Sequence, residues 1–391
     1  MAGSQTALRE ANRATVVDTI RRYGGLTQVE LASATGLSAA TVSNIVRELQ
    51  AAGDVDVKAT VYNGRRAMLV TMVHRTGVAA GIHIGIRHMT ISLADSGHQV
   101  LVEQALPLPH EHRSDTSLDR AALLVVELLE RVGSSLDELL GIGIGVPAPV
   151  DAATGTVSVP GILRGWDDAP VAQVMSKRLG VPVFVDNDAN LGALAESRLG
   201  ASRPYQDSVY VRVSHGTGAG VSLAGRLHRG FAGTAGEIGH VQVDAGGMVC
   251  LCGSRGCLNT VVGAPALIEV LRASRGALTL RDIVSLAVDG DPGCRQVVED
   301  AGATIGAVVA GLAIAVNPQC VVVGGELAET GELLIGPMRE AIRRRVPLNH
   351  LAPLEVMGAE LGPRAEVMGA VLLALENTRA TTRWISRSDG D

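Results

Sequence analysis

Aromatic residues are almost missing: two Trp, four Tyr and two Phe make up 2% of the 391 residues. A core must then be packed from Val, Leu, Ile and Ala, and the scarcity counts against an aromatic stacking platform for single strands or RNA. Lysine is nearly absent too, since only Lys58 and Lys177 among 34 basic residues are not Arg; that bias suits a GC-rich genome and carries no chemistry. Apolar runs are short and broken by Gly, and none approaches the roughly 20 residues of a membrane helix, so no membrane partner is expected. No basic stretch followed by an apolar segment opens the sequence. Five Cys form neither an even set nor a disulfide framework. A cytoplasmic protein with reduced thiols is the expectation.

What is abundant is Gly, at 47 residues, well above the usual level of about 7%. With 47% hydrophobic and 19% charged residues the chain can bury a sizeable core and is not disordered. At roughly 150 residues per domain its length allows two or three domains. The net charge of −6 is unevenly spread, +3 over residues 1–75 and −9 over 76–391. An acidic body would repel nucleic acid, whereas a small basic head could approach phosphates.

The head reads as three helices and a hairpin. Val16, Val17, Ile20 and Tyr23 fall at helical spacing over 11–23, and Gly24-Gly25 ends the run. Thr27 followed by Glu30 is a capping-box pattern for a second helix. Gly36 breaks it, and Ser38 caps a third helix that runs to about Ala52, with Val42, Ile45, Val46 and Leu49 inward. Val55–Tyr62 and Ala67–Val73 read as strands joined by Asn63-Gly64, a hairpin signal. This spacing is that of a helix-turn-helix: small Ala32 permits close packing, and Gly36 supplies a positive-φ turn. Ser38, Thr41, Ser43 and Asn44 would bring short polar groups to base edges, with Asn44 suited to adenine. Arg47 suits phosphate or guanine, and Arg65 and Arg66 at the wing tip suit a minor groove or backbone. A plain helical hairpin used for dimerisation would share much of this pattern.

From Gly77 onward short apolar strands alternate with helices. Strands are expected at 78–86, 89–94, 100–106, 141–146 and 181–185, and again at 208–213, 219–224, 241–243 and 320–323. A strand triplet followed by helix–strand alternation thus occurs twice, which fits two similar lobes with a cleft between them. Within the second series lies His240-x9-Cys250-x-Cys252-x4-Cys257. Three Cys and one His make a closed tetrahedral zinc set, with glycines at 253 and 256 that let the backbone wrap a metal. Four ligands leave no open position, so the zinc would be structural. Cys294 and Cys320 lack such neighbours and read as inert.

With these residues in place the chain resembles the ROK family of repressors, open reading frames and sugar kinases, and in particular its repressor branch. The stretch from Glu237-x-Gly-His240 to Cys250-x-Cys-Gly-x-x-Gly-Cys257 is the most specific match. The resemblance implies an α/β fold: a winged helix-turn-helix at 1–75, then a two-lobed actin/hexokinase-like (ribonuclease H-like) body at 76–391. Lobe 1 would span about 76–188 plus the C-terminal helix, and lobe 2 about 189–364. Through VDNDAN it implies that Asn187 binds a sugar hydroxyl and that Asp188 matches the kinase general base, although Asp188 could also merely cap the helix starting at Ala189. Glu237 and His240 resemble further sugar contacts.

Departures bear on activity. The family's first phosphate motif, Asp-x-Gly-x-Thr, is here GIHIGIR, with His83 for Asp and Arg87 for Thr, which removes metal and phosphate handling. HGTGAG (215–220) survives, as a phosphate loop or a tight hairpin. Asn259 stands where sugar-binding members carry Glu. The expected function is therefore a DNA-binding transcriptional repressor, not an enzyme, acting as a homodimer or homotetramer on operator DNA. Its body would bind a carbohydrate effector at Asn187, Asp188, Glu237, His240 and Asn259, and structural Zn2+ at His240, Cys250, Cys252 and Cys257. The alternatives are an ATP-dependent sugar kinase with a fused DNA head, and a switch worked by a protein docking on the zinc loop.

Overall fold

The computed structural model describes residues 2–23, 25–52, 54–62, 65–72, 77–109, 111–151, 153–157, 163–346 and 353–388. For 2–8, 10, 18, 21–22, 61–62, 65–66, 72 and 379–388 it describes the backbone alone. The chain divides into two compact units, Met1–Arg75 and Thr76–Asp391.

The first unit is a winged helix. Its helix α1, Ala2–Tyr23, starts earlier than the expected Ala11, because the sequence of its first turns has no apolar period to mark them. Val16, Val17 and Ile20 are its buried side. A short strand β1, Leu26–Thr27, precedes α2, Gln28–Thr35. The Thr27 hydroxyl accepts from the Glu30 amide at 3.3 Å, and the Glu30 carboxylate accepts from the Thr27 amide at 2.7 Å. Gly36 turns the chain at φ 68°, and Ser38 caps α3, Ala39–Ala51, accepting from the Thr41 amide at 3.2 Å. Val42, Ile45, Val46 and Leu49 are buried as expected. Strand β2, Val55–Tyr62, pairs antiparallel with β3, Arg65–Met72, and β3 with β1. The Asn63-Gly64 turn and Val73 lie outside the described residues.

The second unit contains one strand plan twice. In the first sheet, β4 (Val78–Ile84), β5 (His88–Asp95) and β6 (Val100–Pro107) form an antiparallel meander. Helix α4, Ser114–Arg131, leads to β7, Leu139–Val146, parallel to β4. A small ribbon, β8 (Val150–Asp151) with β9 (Thr156–Val157), and α5, Val171–Leu179, lead to β10, Val183–Asn187, parallel to β7. The order is β10-β7-β4-β5-β6. Helix α6, Asp188–Leu199, opens the second series: β11 (Ser208–Val213), β12 (Thr217–Leu223) and β13 (Arg226–His228). After α7 (Asn259–Val262), α8 (Ala264–Arg275), α9 (Leu280–Val288) and α10 (Pro292–Val316) comes β14, Cys320–Gly324. Then α11, Glu332–Arg345, and β15, Glu355–Gly358, complete a sheet of order β13-β12-β11-β14-β15. Read from opposite ends, the two orders agree position for position. The expected strand at 241–243 is absent; that stretch is loop, touched by a lone bridge from Gln242 to Cys257. The third strand is β13 instead, too short and too exposed to show alternation.

Helix α10 departs from expectation in another way. By length and composition it is apolar enough to cross a membrane. It is instead the core helix of its lobe, burying Val298, Ala301, Ile305, Val309 and Ala310.

Helix α12, Ala365–Ser388, lies on β4 and β7 and against α6. Glycine permits that approach: a Cβ on Gly143 would stand 1.9 Å from the Ala370 carbonyl oxygen, and one on Gly369 would stand 2.0 Å from that of Leu191. Neither obstacle is a movable side chain. Gly143→Ala should therefore destabilise the protein by about 1–3 kcal/mol through forced separation of helix and sheet. Denaturant unfolding measures it, and an unchanged midpoint would contradict this packing.

Candidate functional site

In the head, Asn44 and Arg47 are exposed on α3, and the Arg47 guanidinium donates to the Asn44 carbonyl at 3.4 Å. Ser38 is exposed, while Thr41 and Ser43 are half-buried. Helix α3 is tied to α1 by an Arg9–Glu48 ion pair. Arg65 and Arg66 open β3, and their side chains lie outside the described residues.

In the body, β10 ends directly on α6, so the turn between them sets the site. Asn187, not Asp188, is the helix cap: its Oδ1 accepts from the Ala189 amide at 2.8 Å, and its Nδ2 donates to the Ala148 carbonyl at 3.2 Å. The amide expected to bind a hydroxyl is thus largely committed to holding the turn. Asp188, the first helical residue, is freed from capping and is buried, 4% exposed. Its Oδ2 lies 3.3 Å from Arg212 Nη1 and 3.7 Å from His83 Nε2. Arg212 comes from β11, and its Nε donates at 2.8 Å to Glu366 at the start of α12, which also accepts from the Tyr210 hydroxyl. Burial alone would raise the Asp188 pKa, but the Arg212 charge and the His83 contact outweigh it and hold the carboxyl below the ordinary aspartate value. Sequence reasoning missed Arg212 and Glu366. An Arg inside the apolar run Val209–Val213 was the available signal, since a charge there needs a buried partner.

Glu237 caps a single 3-10 turn, Ile238–His240, so Glu237 and His240 do face the same way. Their carboxylate and Nε2 lie 3.9 Å apart. Burial first, and then the Asp188 charge, push Glu237 up to about 7. The other face of the His240 ring meets sulfur: Nδ1 is 3.6 Å from Cys250 Sγ, and Cys252 and Cys257 Sγ are 3.7 Å apart. All four ligand atoms lie within 4.8 Å of one another. A tetrahedron with metal–sulfur bonds of about 2.3 Å has edges near 3.8 Å. The set can therefore hold a metal ion. Gly256 makes the wrap possible at φ 65°, where a Cβ would strike the Asp244 carbonyl.

Asn259 is engaged with backbone on both sides. Its Oδ1 accepts from the Thr217 amide at 2.7 Å, and its Nδ2 packs on Gly239, so it joins the glycine loop to the His240 turn. HGTGAG itself forms a tight hairpin: Val213 pairs with Thr217, and the Ser214 amide donates to Gly216. Of the altered phosphate motif, His83 is buried at the end of β4 and Arg87 is exposed. Burial, then the charges of His83, Arg212, His215 and Arg281, push neighbouring His88 down to about 4.

A winged helix preceding paired sheets of one strand order, with a polar cluster between them, defines a DNA-binding type of head joined to a sugar-kinase-like body. The family profiles agree: residues 79–377 match the ROK family and residues 10–66 the MarR family. The chain belongs to the ROK family. The xylose repressor of Caldicellulosiruptor bescii is 29% identical over 391 residues, 96% of this chain and 98% of the repressor. A ROK family transcriptional regulator described as a homolog of the E. coli MLC protein superposes with a TM-score of 0.77 at 26% identity, covering 95% of this chain and 96% of its own. A ROK family glucokinase from Streptomyces griseus, in complex with glucose and AMPPNP, gives 0.69 at 28% identity, covering 77% of this chain and all (100%) of its own.

Removing Arg212 tests the cluster. Arg212→Leu leaves Asp188 and Glu366 buried without a counter-charge and should cost about 3–5 kcal/mol. Adding Glu366→Gln should return part of that stability. Denaturant curves of the single and double variants decide, and an Arg212→Leu protein as stable as the parent would refute the ion cluster as described.

Proposed function

We propose that the protein is a DNA-binding transcriptional repressor whose body binds a sugar or sugar-derived effector and whose His240, Cys250, Cys252 and Cys257 hold one structural zinc ion. The observation that carries this is the full-length match: repressors align over head and body together, whereas the glucokinase aligns over 77% of the chain and to its own end. The winged helix at 1–75 is the operator-binding domain and 76–391 the effector-binding body, with lobes meeting near residue 188. Asp188, Glu237 and His240 face the effector, while Asn187 and Asn259 shape the site through the bonds they make to neighbouring backbone. Thr41, Ser43, Asn44 and Arg47 read the operator, with Ser38 fixing the start of the reading helix. We place it in the cytoplasm as a homodimer or homotetramer; a two-fold pair of such heads would read two operator half-sites.

The kinase reading has in its favour the retained carboxylate at Asp188, the HGTGAG loop and the likeness of the body to a glucokinase. Against it stand His83 and Arg87 where Asp and Thr would serve the nucleotide, and the pairing of Asp188 with Arg212. ATP turnover over a sugar panel that disappears in Asp188→Asn would reverse this judgement.

Regulation requires the effector to bind two states of the protein unequally. Operator binding followed by gel shift should fall when Arg65 and Arg66 are both replaced by Ala, across sequences and with a shallower salt dependence. Asn44→Ala should relax preference at one base pair, at about 1–3 kcal/mol. A sugar should release the wild-type complex but not that of Asp188→Asn. Operator binding by residues 76–391 alone would overturn the assignment.

For the metal, one equivalent of zinc per chain is expected, lost in Cys252→Ala together with a drop in melting temperature. Unchanged zinc content in that variant would exclude the site.

A further inference from the structure

Six buried side-chain polar atoms lack a well-formed hydrogen bond among the described residues, and two of the six face each other: His83 Nε2 and Asp188 Oδ2, 3.7 Å apart, the latter with only its ion pair to Arg212 at 3.3 Å. Both side chains are deeply buried, at 3% and 4% exposure. The gap is too long for a hydrogen bond between them. It is well suited to one shared oxygen about 2.8 Å from each. We propose that His83 is a ligand-contacting residue that, with Asp188, forms a two-point receptor for a single free hydroxyl of the carbohydrate effector. The inference rests on the reading of the body as a carbohydrate-binding regulator, and it adds a specificity element which that reading does not contain.

The chemistry of each partner fixes the polarity. Arg212 keeps Asp188 ionised, so its oxygen can only accept and the ligand group must donate. With a carboxylate opposite, the Nε2–H tautomer of His83 is favoured, and it donates to the same ligand oxygen. A hydroxyl is the neutral group that can donate and accept at one atom. The imidazole is pinned for this task. It meets His88 edge-on at a centroid distance of 5.5 Å, and its carbons lie 3.5 and 3.7 Å from where Cβ atoms on Gly85 and Gly145 would stand.

Two consequences follow for the ligand. A lone pair engaged by His83 is drawn away from nucleophilic attack, so the hydroxyl is recognised and not activated. A deoxy carbon at that position leaves His83 Nε2 unpaired and Asp188 Oδ2 with Arg212 alone, and a phosphoryl group sets its charge against the Asp188 carboxylate; both are disfavoured.

The test uses full-length protein and calorimetric titration with D-glucose, D-xylose and N-acetyl-D-glucosamine, followed by the monodeoxy analogues of the tightest binder. In the wild type one analogue should bind roughly tenfold or more weakly than its parent sugar. That ratio should collapse towards one in His83→Leu, and His83→Gln, whose amide can still donate, should keep part of it. Should His83→Leu fail to fold, the His83→Gln ratio carries the test, and a ratio equal to wild type at every position refutes the proposal. Sugar binding with an undiminished deoxy ratio in His83→Leu refutes His83 alone and leaves the effector reading intact. No binding of any of these sugars to wild type removes the effector reading and this inference with it.

Discussion

The body is organised around one buried ion cluster. Arg212, on a strand of the second sheet, lies between Asp188 at the start of α6 and Glu366 at the start of α12. Removing ions from water costs several kcal/mol each, so the cluster persists only because both helix starts and the strand end are fixed relative to one another. The surroundings meet that demand. Tyr210 joins the cluster through Glu366, and it fits because Gly192 and Gly324 leave room: a Cβ on Gly192 would lie 2.2 Å from its ring carbon Cε1, and one on Gly324 2.2 Å from its hydroxyl. The same arrangement that holds the carboxylate in place also keeps it charged, so Asp188 is prepared to accept a hydrogen bond and poorly prepared to take a proton.

A second coupling runs through the metal loop. His240 turns one ring nitrogen to the cysteines and the other to Glu237, while Asn259 fastens the glycine hairpin to the same turn. An ion held by the four ligands would therefore fix the orientation of the ring whose far side borders the polar cluster, as carboxylate–histidine–metal arrangements do.

Much of this was legible in the residues, and what was not has definite causes. The capping box at Thr27, the Ser38 cap and the Cys/His spacing are local patterns whose geometry is set within a few residues, so sequence conveys them directly. The twin sheets were visible as a repeated rhythm of apolar runs. The third strand of the second sheet was misplaced to 241–243, because valines in a metal-type loop mimic alternation. The cap was offered at Asp188 and lies at Asn187, since both residue types cap well and only the end of β10 decides between them. Arg212 with Glu366 and Asn259 with Thr217 join residues 154 and 42 positions apart. Such pairings depend on how helices and sheets meet, and no periodicity records that.

The seating of α12 on its sheet, main chain against main chain, also governs how this gene can change. Every missense change in a glycine codon inserts at least a Cβ, and every third-position change is silent. Where the opposing atom is a backbone carbonyl, as at Gly143 and Gly369, even the smallest missense step is already too large. Valine, leucine and isoleucine elsewhere in the core can exchange with repacking. The aromatic-poor core thus leaves most buried positions free to drift, while the glycine contacts have no conservative replacement.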